Sequence, residues 1–146
     1  MTQPPTVFVV DDDASVRGSL AAVLDGEGFV VEEARDGVEA LAKAAQHSPD
    51  LVLLDLNMPQ MDGWAAFRQL DQLKPLVPII VITARPHQYE EAVRQGVDAF
   101  MEKPLNIPLL LCAVKRLSEE DPVARERRVS SRAFVTSLLG EKFLQS

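Results

Sequence analysis

The most informative part of this chain reads Leu51-Val52-Leu53-Leu54-Asp55-Leu56-Asn57-Met58-Pro59. Four consecutive apolar residues lead directly into an aspartate, and prolines at positions 49 and 59 flank the segment. A short apolar run of this kind is typical of a strand buried on both faces, as in a parallel sheet. A carboxylate at the end of such a strand emerges at the carboxyl edge of the sheet, where open α/β folds place their ligand sites. Taken alone, Asp55 fits the beginning of a turn equally well.

The composition favours one compact domain, because the chain has 146 residues of which 47% are hydrophobic. No apolar run approaches the roughly 18–20 residues of a membrane span, and the N-terminus resembles no export signal. The single cysteine, Cys112, excludes an internal disulfide, suits a reducing cytoplasm and is expected to be a small buried helix residue. The net charge of −7 argues against a general electrostatic affinity for nucleic acid. We therefore expect a cytoplasmic protein that binds neither membrane nor nucleic acid directly.

Apolar runs alternate with helical patterns five times within residues 1–118. Strands β1 to β5 are predicted at 7–10, 29–31, 51–54, 78–82 and 97–101, and helices α1 to α5 at 16–24, 38–45, 64–73, 87–95 and 105–117. Such alternation implies right-handed crossovers and a parallel sheet covered on both faces. The predicted fold is a flavodoxin-like, doubly wound α/β fold with five parallel strands in the order 2-1-3-4-5.

Polar residues follow four strands whose ends lie side by side in this topology. They are Asp11 and Asp12 after β1, Asp55 after β3, Thr83 after β4 and Lys103 after β5. Three crowded carboxylates repel one another, and a hard divalent cation such as Mg²⁺ or Mn²⁺ removes that penalty. A metal beside a carboxylate, a hydroxyl and an ammonium is suited to phosphoryl transfer. In that chemistry Asp55 would be the nucleophile, Thr83 a hydrogen-bond donor and Lys103 a cation on the phosphoryl oxygens.

This set of residues resembles the receiver domain of two-component response regulators. The resemblance covers about residues 6–118 and depends on the pairs Asp11-Asp12, Thr83-Ala84 and Lys103-Pro104 together with Asp55. The amino-acid sequences at the ends of β1 and β3 are most similar to those of receivers attached to transcriptional regulators. The resemblance implies a signalling switch, not an enzyme acting on other substrates: the domain catalyses only its own aspartyl phosphorylation and dephosphorylation.

The family's functional residues can be carried over position by position. Asp55 matches the phosphoacceptor, which receives phosphate from a histidine kinase, a phosphotransfer protein or acetyl phosphate. The implied metal ligands are Asp12 directly, Asp11 through a water, Asp55, and Asn57 through its backbone carbonyl. Thr83 and Phe100 match the pair whose coupled movement reports phosphorylation to the α4–β5–α5 face. Lys103 matches the lysine that contacts the phosphoryl group, and its bond to Pro104 is usually cis in the family.

Other interpretations of these residues remain. Asp11 to Asp13 also fit a helix-capping cluster, and Phe100 also fits an ordinary core aromatic. His47 and His87 are expected to be exposed helix-end residues. A phosphatase of the haloacid-dehalogenase type also uses an aspartyl phosphate beside Mg²⁺. That family requires a second aspartate two residues after the nucleophile, where this chain has Asn57.

The C-terminal residues 119–146 are predicted to be a linker followed by an amphipathic helical tail. The acidic segment 119–122 marks the boundary. Beyond it an apolar helical stripe is formed by Phe134, Val135, Leu138, Leu139 and Phe143. Because these apolar side chains would otherwise be exposed to solvent, we expect the stripe to dock on another surface. The candidates are the α4–β5–α5 face of the same chain, a second copy in a homodimer, or a downstream partner. An unstructured tail is the alternative, since several of its residues are poor helix formers.

Overall fold

A computed structural model describes residues 3–58, 61–130 and 137–139. The strands are β1 (Thr6–Val10), β2 (Val30–Ala34), β3 (Leu51–Asp55), β4 (Ile79–Thr83), β5 (Ala99–Glu102) and β6 (Ser137–Leu138). The helices are α1 (Ala14–Gly26), α2 (Gly37–Gln46), α3 (Gly63–Leu73), α4 (Tyr89–Gln95), α5 (Ile107–Ser118) and α6 (Pro122–Ser130). Strand order is β2-β1-β3-β4-β5-β6, and each pair is parallel. The predicted order of the first five strands is confirmed.

The sheet separates two apolar clusters, and the central strand β3 contributes to both. Val52 and Leu54 belong to the cluster with residues of α2, α3 and α4. Leu51 and Leu53 belong to the cluster with residues of α1 and α5. All five residues of β3 are buried, and each large apolar side chain contributes about 1.5–3 kcal/mol. This burial fixes the register that carries Asp55 to the edge of the sheet.

Short polar side chains and one glycine determine where the helices begin near that edge. The Asp13 carboxylate accepts from the backbone N–H groups of Ser15 and Val16, which confirms it as the cap of α1. At the start of α3, Gly63 lies against the backbone of Leu56. A Cβ atom at this position would lie 2.4 Å from the Leu56 carbonyl oxygen. Only glycine therefore allows α3 to begin so close to the residue that follows Asp55.

Two expectations differ from the structure in detail. Strand β2 extends to Ala34, beyond the predicted end at 31, because an edge strand tolerates the partly exposed Glu32 and Glu33 that interrupt its apolar run. Cys112 is exposed on α5, so the prediction that it is buried is wrong. It lies on the solvent side of the helix, away from the buried Ala113 and Val114. Across the described ranges, no helix combines the length and apolar character needed to cross a bilayer.

The C-terminal tail is helical only in part. Helix α6 is present, but Leu138 lies in strand β6, and Leu139 follows it in extended chain. The prediction of one helical stripe through both leucines is therefore wrong. Without β6, the outer edge of β5 would carry unpaired backbone groups, and Ser137 and Gly140 are poor helix formers. The predicted turn at Pro59 and the stripe residues Phe134, Val135 and Phe143 lie outside the described residues.

Candidate functional site

Three carboxylates meet at the carboxyl edge of the sheet, as the topology predicts. Asp11 directly follows β1, Asp12 comes next, and Asp55 is the last residue of β3. One carboxylate oxygen of each lies within 4.8 Å of the others. Asp11 is fully buried and Asp55 is 2% exposed, whereas Asp12 is exposed to solvent. The cluster therefore combines two buried acids with one that water reaches.

Lys103 supplies the positive charge of the site. Its ammonium donates to Asp55 Oδ2 at 3.2 Å and lies 3.6 Å from Asp11 Oδ2. Its backbone N–H donates to the Thr83 carbonyl at 2.8 Å, which extends the β4–β5 pairing by one residue. Burial lowers the pKa of Lys103, but Asp55 and Asp11 outweigh this effect and raise it. The lysine is therefore a permanent cation between two acids.

Asp11 combines complete burial with an incomplete set of hydrogen bonds among the described residues. Its Oδ1 accepts from the Asp13 backbone N–H at 2.9 Å, while its buried Oδ2 has no hydrogen-bond partner within the described part of the chain. Burial raises the pKa of Asp11 to about 6, and Asp55 adds to the rise against the opposing effects of the Asp13 N–H and Lys103. A buried carboxylate oxygen without a donor is a site that a cation can occupy.

The raised pKa of Asp11 predicts how metal-free stability depends on pH. The folded state keeps the proton up to about pH 6, while the unfolded chain loses it near 3.8. Stability should therefore be greater at low pH and fall as pH rises through 6. In EDTA, we expect urea unfolding to show that the parent loses about 1 kcal/mol more than Asp11→Asn between pH 5 and 8. Parallel pH profiles for the two proteins would contradict this prediction.

Thr83 and Asn57 flank the acids on neighbouring segments. Thr83 is fully buried at the end of β4, and its Oγ1 accepts from the Arg85 backbone N–H at 3.0 Å. This contact uses the hydroxyl oxygen as an acceptor, so its O–H remains a donor. Asn57 is exposed, and its backbone N–H donates to Asp55 Oδ1 at 3.0 Å. Both predicted residues therefore lie beside the strand ends that carry the acids.

Phe100 and Pro104 lie on either side of Lys103 in sequence. Phe100 is fully buried in the cluster that contains α3 and α4 residues, and its ring lies 5.9 Å from that of Tyr89. It is paired with Val81, two residues before Thr83. The Lys103–Pro104 peptide bond is cis. The Phe100 ring is thus a core aromatic that connects β5 with α4.

Arg85 is a residue of the site that the sequence interpretation missed. Its guanidinium donates to the carbonyl of Leu56 at 3.1 Å, and Leu56 directly follows Asp55. This contact joins the loop after β4 to the loop after β3, in addition to the Arg85 N–H bond to Thr83. A basic residue two positions after a strand-end threonine was the available signal, but the sequence does not show where so long a side chain points.

The two histidines lie away from the acids. His47 ends α2, is exposed and contacts the Glu32 carboxylate on β2. His87 is exposed in the loop before α4, with a positive φ of 59°. The expectation that both are exposed is therefore confirmed, but only His47 lies at a helix end, since α4 begins at Tyr89.

A family model described as the response regulator receiver domain matches residues 7–115. The chain belongs to the response regulator receiver domain family. Response regulator MprA of Mycobacterium sp. (strain KMS) is 41% identical over 116 residues, which are 78% of this chain and 50% of that protein. The DNA-binding transcriptional regulator NtrC of Salmonella typhimurium is 34% identical over 138 residues, 92% of this chain and 29% of that protein. The chain thus matches half or less of the length of these relatives.

Solved structures show the same receiver fold. A CheY-like receiver domain protein from Methanospirillum hungatei superimposes with a TM-score of 0.76 at 28% identity, covering 85% of this chain and 98% of the other. The receiver domain of NtrX from Brucella abortus gives a TM-score of 0.74 at 29% identity, covering 79% and 99%. The five-stranded order 2-1-3-4-5 and the flanking helices are therefore those of a receiver.

Proposed function

We propose that this receiver is a phosphorylation-dependent signalling switch that accepts a phosphoryl group on Asp55. The observation that carries the proposal is the Asp55 carboxylate at the end of the central strand, 3.2 Å from the Lys103 ammonium and beside two further acids. The donor would be the phosphohistidine of a histidine kinase or phosphotransfer protein, or a small acyl phosphate such as acetyl phosphate. The chain would catalyse only its own phosphorylation and dephosphorylation.

The chemistry requires an oxygen nucleophile and neutralisation of the transferred group. An oxygen of Asp55 attacks the phosphorus, the bond from phosphorus to the donor nitrogen or oxygen breaks, and the donor leaves with the bonding electrons. The Lys103 ammonium neutralises the negative charge on the phosphoryl oxygens, and the Thr83 hydroxyl can donate a hydrogen bond to one of them. The Asn57 N–H already holds Asp55 Oδ1, which orients the carboxylate for attack.

The acidic cluster fits a divalent cation. Asp12, Asp55, the Asn57 carbonyl and, through a water, Asp11 would hold Mg²⁺, or Mn²⁺ in its place. The fit rests on three oxygen donors within 4.8 Å and on the buried Asp11 Oδ2 that lacks a donor among the described residues. When bound, the ion supplies positive charge beside the phosphoryl oxygens and relieves the repulsion among the acids.

Replacing Asp12 should weaken the metal site without damaging the fold. Asp12→Ala removes a solvent-accessible carboxylate ligand, so we expect Mg²⁺ affinity to fall at least about tenfold in isothermal titration calorimetry. Asp25→Ala is the matched control, because Asp25 is also exposed but lies at the far end of α1. Unchanged affinity in Asp12→Ala would place the ion elsewhere.

The output is proposed to pass through the face formed by α4, β5 and α5. Thr83 at the end of β4 and Phe100 on β5 would couple phosphorylation to that face, since the Phe100 ring already contacts Tyr89 of α4. Residues 1–118 would form the receiver, and residues 119–146 a linker and tail. A homodimer through the same face or through the tail is the proposed assembly, and direct nucleic-acid binding by this chain is not expected.

A labelling experiment tests the proposal. The parent chain with acetyl phosphate and Mg²⁺ should gain one phosphoryl group in intact mass spectrometry, and hydroxylamine should remove it because an acyl phosphate is labile to that nucleophile. Labelling should be lost in EDTA. A chain that remains unlabelled with both acetyl phosphate and a set of phosphorylated kinases would contradict the proposed function.

A further inference from the structure

The outer edge of β5 is covered by the chain's own C-terminal segment. Ser137 and Leu138 of β6 pair with Ala99 and Phe100, and the Leu139 N–H donates to the Phe100 carbonyl at 2.8 Å. Leu139 is 3% exposed and belongs to the cluster that contains α1 and α5 residues. A strand edge left open is a template for pairing with another chain. Here the segment closes that edge.

A second contact anchors the segment at the start of β5. Arg125 of α6 is 4% exposed, and its guanidinium donates to Asp98 Oδ2 at 3.1 Å and to the Pro75 carbonyl. Asp98 immediately precedes β5, and the same oxygen accepts from the Ile79 N–H at 2.9 Å. Arg125 Nε is buried without a hydrogen-bond partner within the described ranges. Since a buried ion pair is costly unless its geometry is right, this contact specifies one position for α6.

The covered strand leads directly to the phosphorylation site. Lys103 directly follows β5, and its ammonium donates to Asp55 Oδ2 at 3.2 Å. A phosphoryl group on Asp55 places new oxygens beside that ammonium, so the contact between Lys103 and Asp55 must rearrange. The Phe100 carbonyl that accepts from Leu139 lies three residues earlier on the same strand. A displacement of the end of β5 therefore changes the edge on which β6 pairs.

We propose that residues 119–130 and 137–139 form an intramolecular cap on β5 that phosphorylation of Asp55 loosens. The proposal rests on the proposed function, because it takes Asp55 as the phosphoacceptor. The cap occupies the edge of the α4–β5–α5 face while Asp55 is unmodified, and this excludes a partner strand from β5. Phosphorylation frees the edge. By linkage, a cap that phosphorylation weakens must oppose phosphorylation to the same extent.

Amide hydrogen exchange tests the cap in the full chain. In the unmodified protein, the amide of Leu139 should exchange at least tenfold more slowly than the same amide in an unstructured chain, because its N–H is bonded to the Phe100 carbonyl. After labelling with acetyl phosphate and Mg²⁺, the Leu139 amide of the parent should exchange at least tenfold faster than before labelling. In the Arg125→Met variant, the Leu139 amide should lose this protection even without labelling.

Phosphorylation tests the reciprocal effect. Leu139→Pro removes the N–H that pairs with Phe100, and should hold a several-fold larger ratio of phosphorylated to unmodified chain than the parent at the same acetyl phosphate and acetate concentrations. Leu139→Ile keeps both the N–H and an apolar side chain and is the matched control. Both variants should melt cooperatively, since β1 to β5 keep their pairing with one another without residue 139.

The outcomes distinguish the cap from the proposed function. An unprotected Leu139 amide in the unmodified parent would overturn the cap, whatever the labelling. Protection that is identical before and after labelling, with equal phosphorylated fractions for Leu139→Pro and Leu139→Ile, would overturn the coupling while leaving Asp55 as the phosphoacceptor. Protection in a chain that cannot be labelled would overturn the coupling together with the proposed function.

Discussion

Asp55→Asn is expected to abolish phosphorylation of this receiver by acetyl phosphate and Mg²⁺. The amide retains the size of the carboxylate, but its single oxygen can replace only one of the two oxygens that accept from Asn57 and Lys103. That oxygen is also no longer an anionic nucleophile. Labelling should therefore fall from one phosphoryl group per chain to below the detection limit of intact mass spectrometry. This is the largest effect on activity that the site predicts for a single substitution.

The control must separate loss of the nucleophile from loss of an acidic side chain. Asp62→Asn serves this purpose, because Asp62 is exposed at the start of α3 and its side chain makes no capping hydrogen bond. It should be labelled like the parent. Asp55→Asn should also melt no earlier than the parent, since it removes one of three crowded carboxylates. Equal labelling of Asp55→Asn and the parent would show that another residue receives the phosphoryl group.

The sequence predicted those parts of the fold that depend on local pattern and chain order. The apolar runs ending at Val10, Leu54 and Ile82 are buried on both faces, so they contain no polar interruption and are easily recognised. Strand alternation then requires their ends to share one sheet edge, which brings Asp11, Asp55 and the other predicted residues together without any knowledge of side-chain geometry. For this reason the acidic cluster could be predicted before the structure.

Contacts made by long side chains could not be predicted in this way. Arg85 reaches the Leu56 carbonyl across the gap between two loops, and Arg125 reaches Asp98 and Pro75 from a helix outside the matched family region. Neither contact has a periodic pattern, because each joins residues that are distant in sequence. The β6 pairing was missed for a related reason. Its leucine spacing fits a helical stripe, and only the open edge of β5 favours the extended chain.

Arg125→Met is expected to have the largest effect on stability among the substitutions considered. The change keeps most of the apolar stem but leaves the buried Asp98 carboxylate without its cation and the Pro75 carbonyl without its donor. Removing one partner of a buried ion pair typically costs 3–5 kcal/mol, so we expect urea unfolding to show a loss of about 3 kcal/mol. Arg94→Met is the matched control, because Arg94 is exposed and its ion pair with Glu91 lies at the surface. It should cost less than about 0.5 kcal/mol.

A second substitution identifies the source of this loss. If an uncompensated buried charge dominates, Asp98→Asn in the Arg125→Met background should recover part of the stability, since the amide oxygen can still accept from the Ile79 N–H. If α6 instead detaches and water reaches Asp98, the loss is limited to the free energy that docks α6. In that case the amides of α6 exchange freely while those of β4 stay protected. A loss below about 0.5 kcal/mol for Arg125→Met, equal to that of Arg94→Met, would show that Arg125 does not anchor the segment to β5.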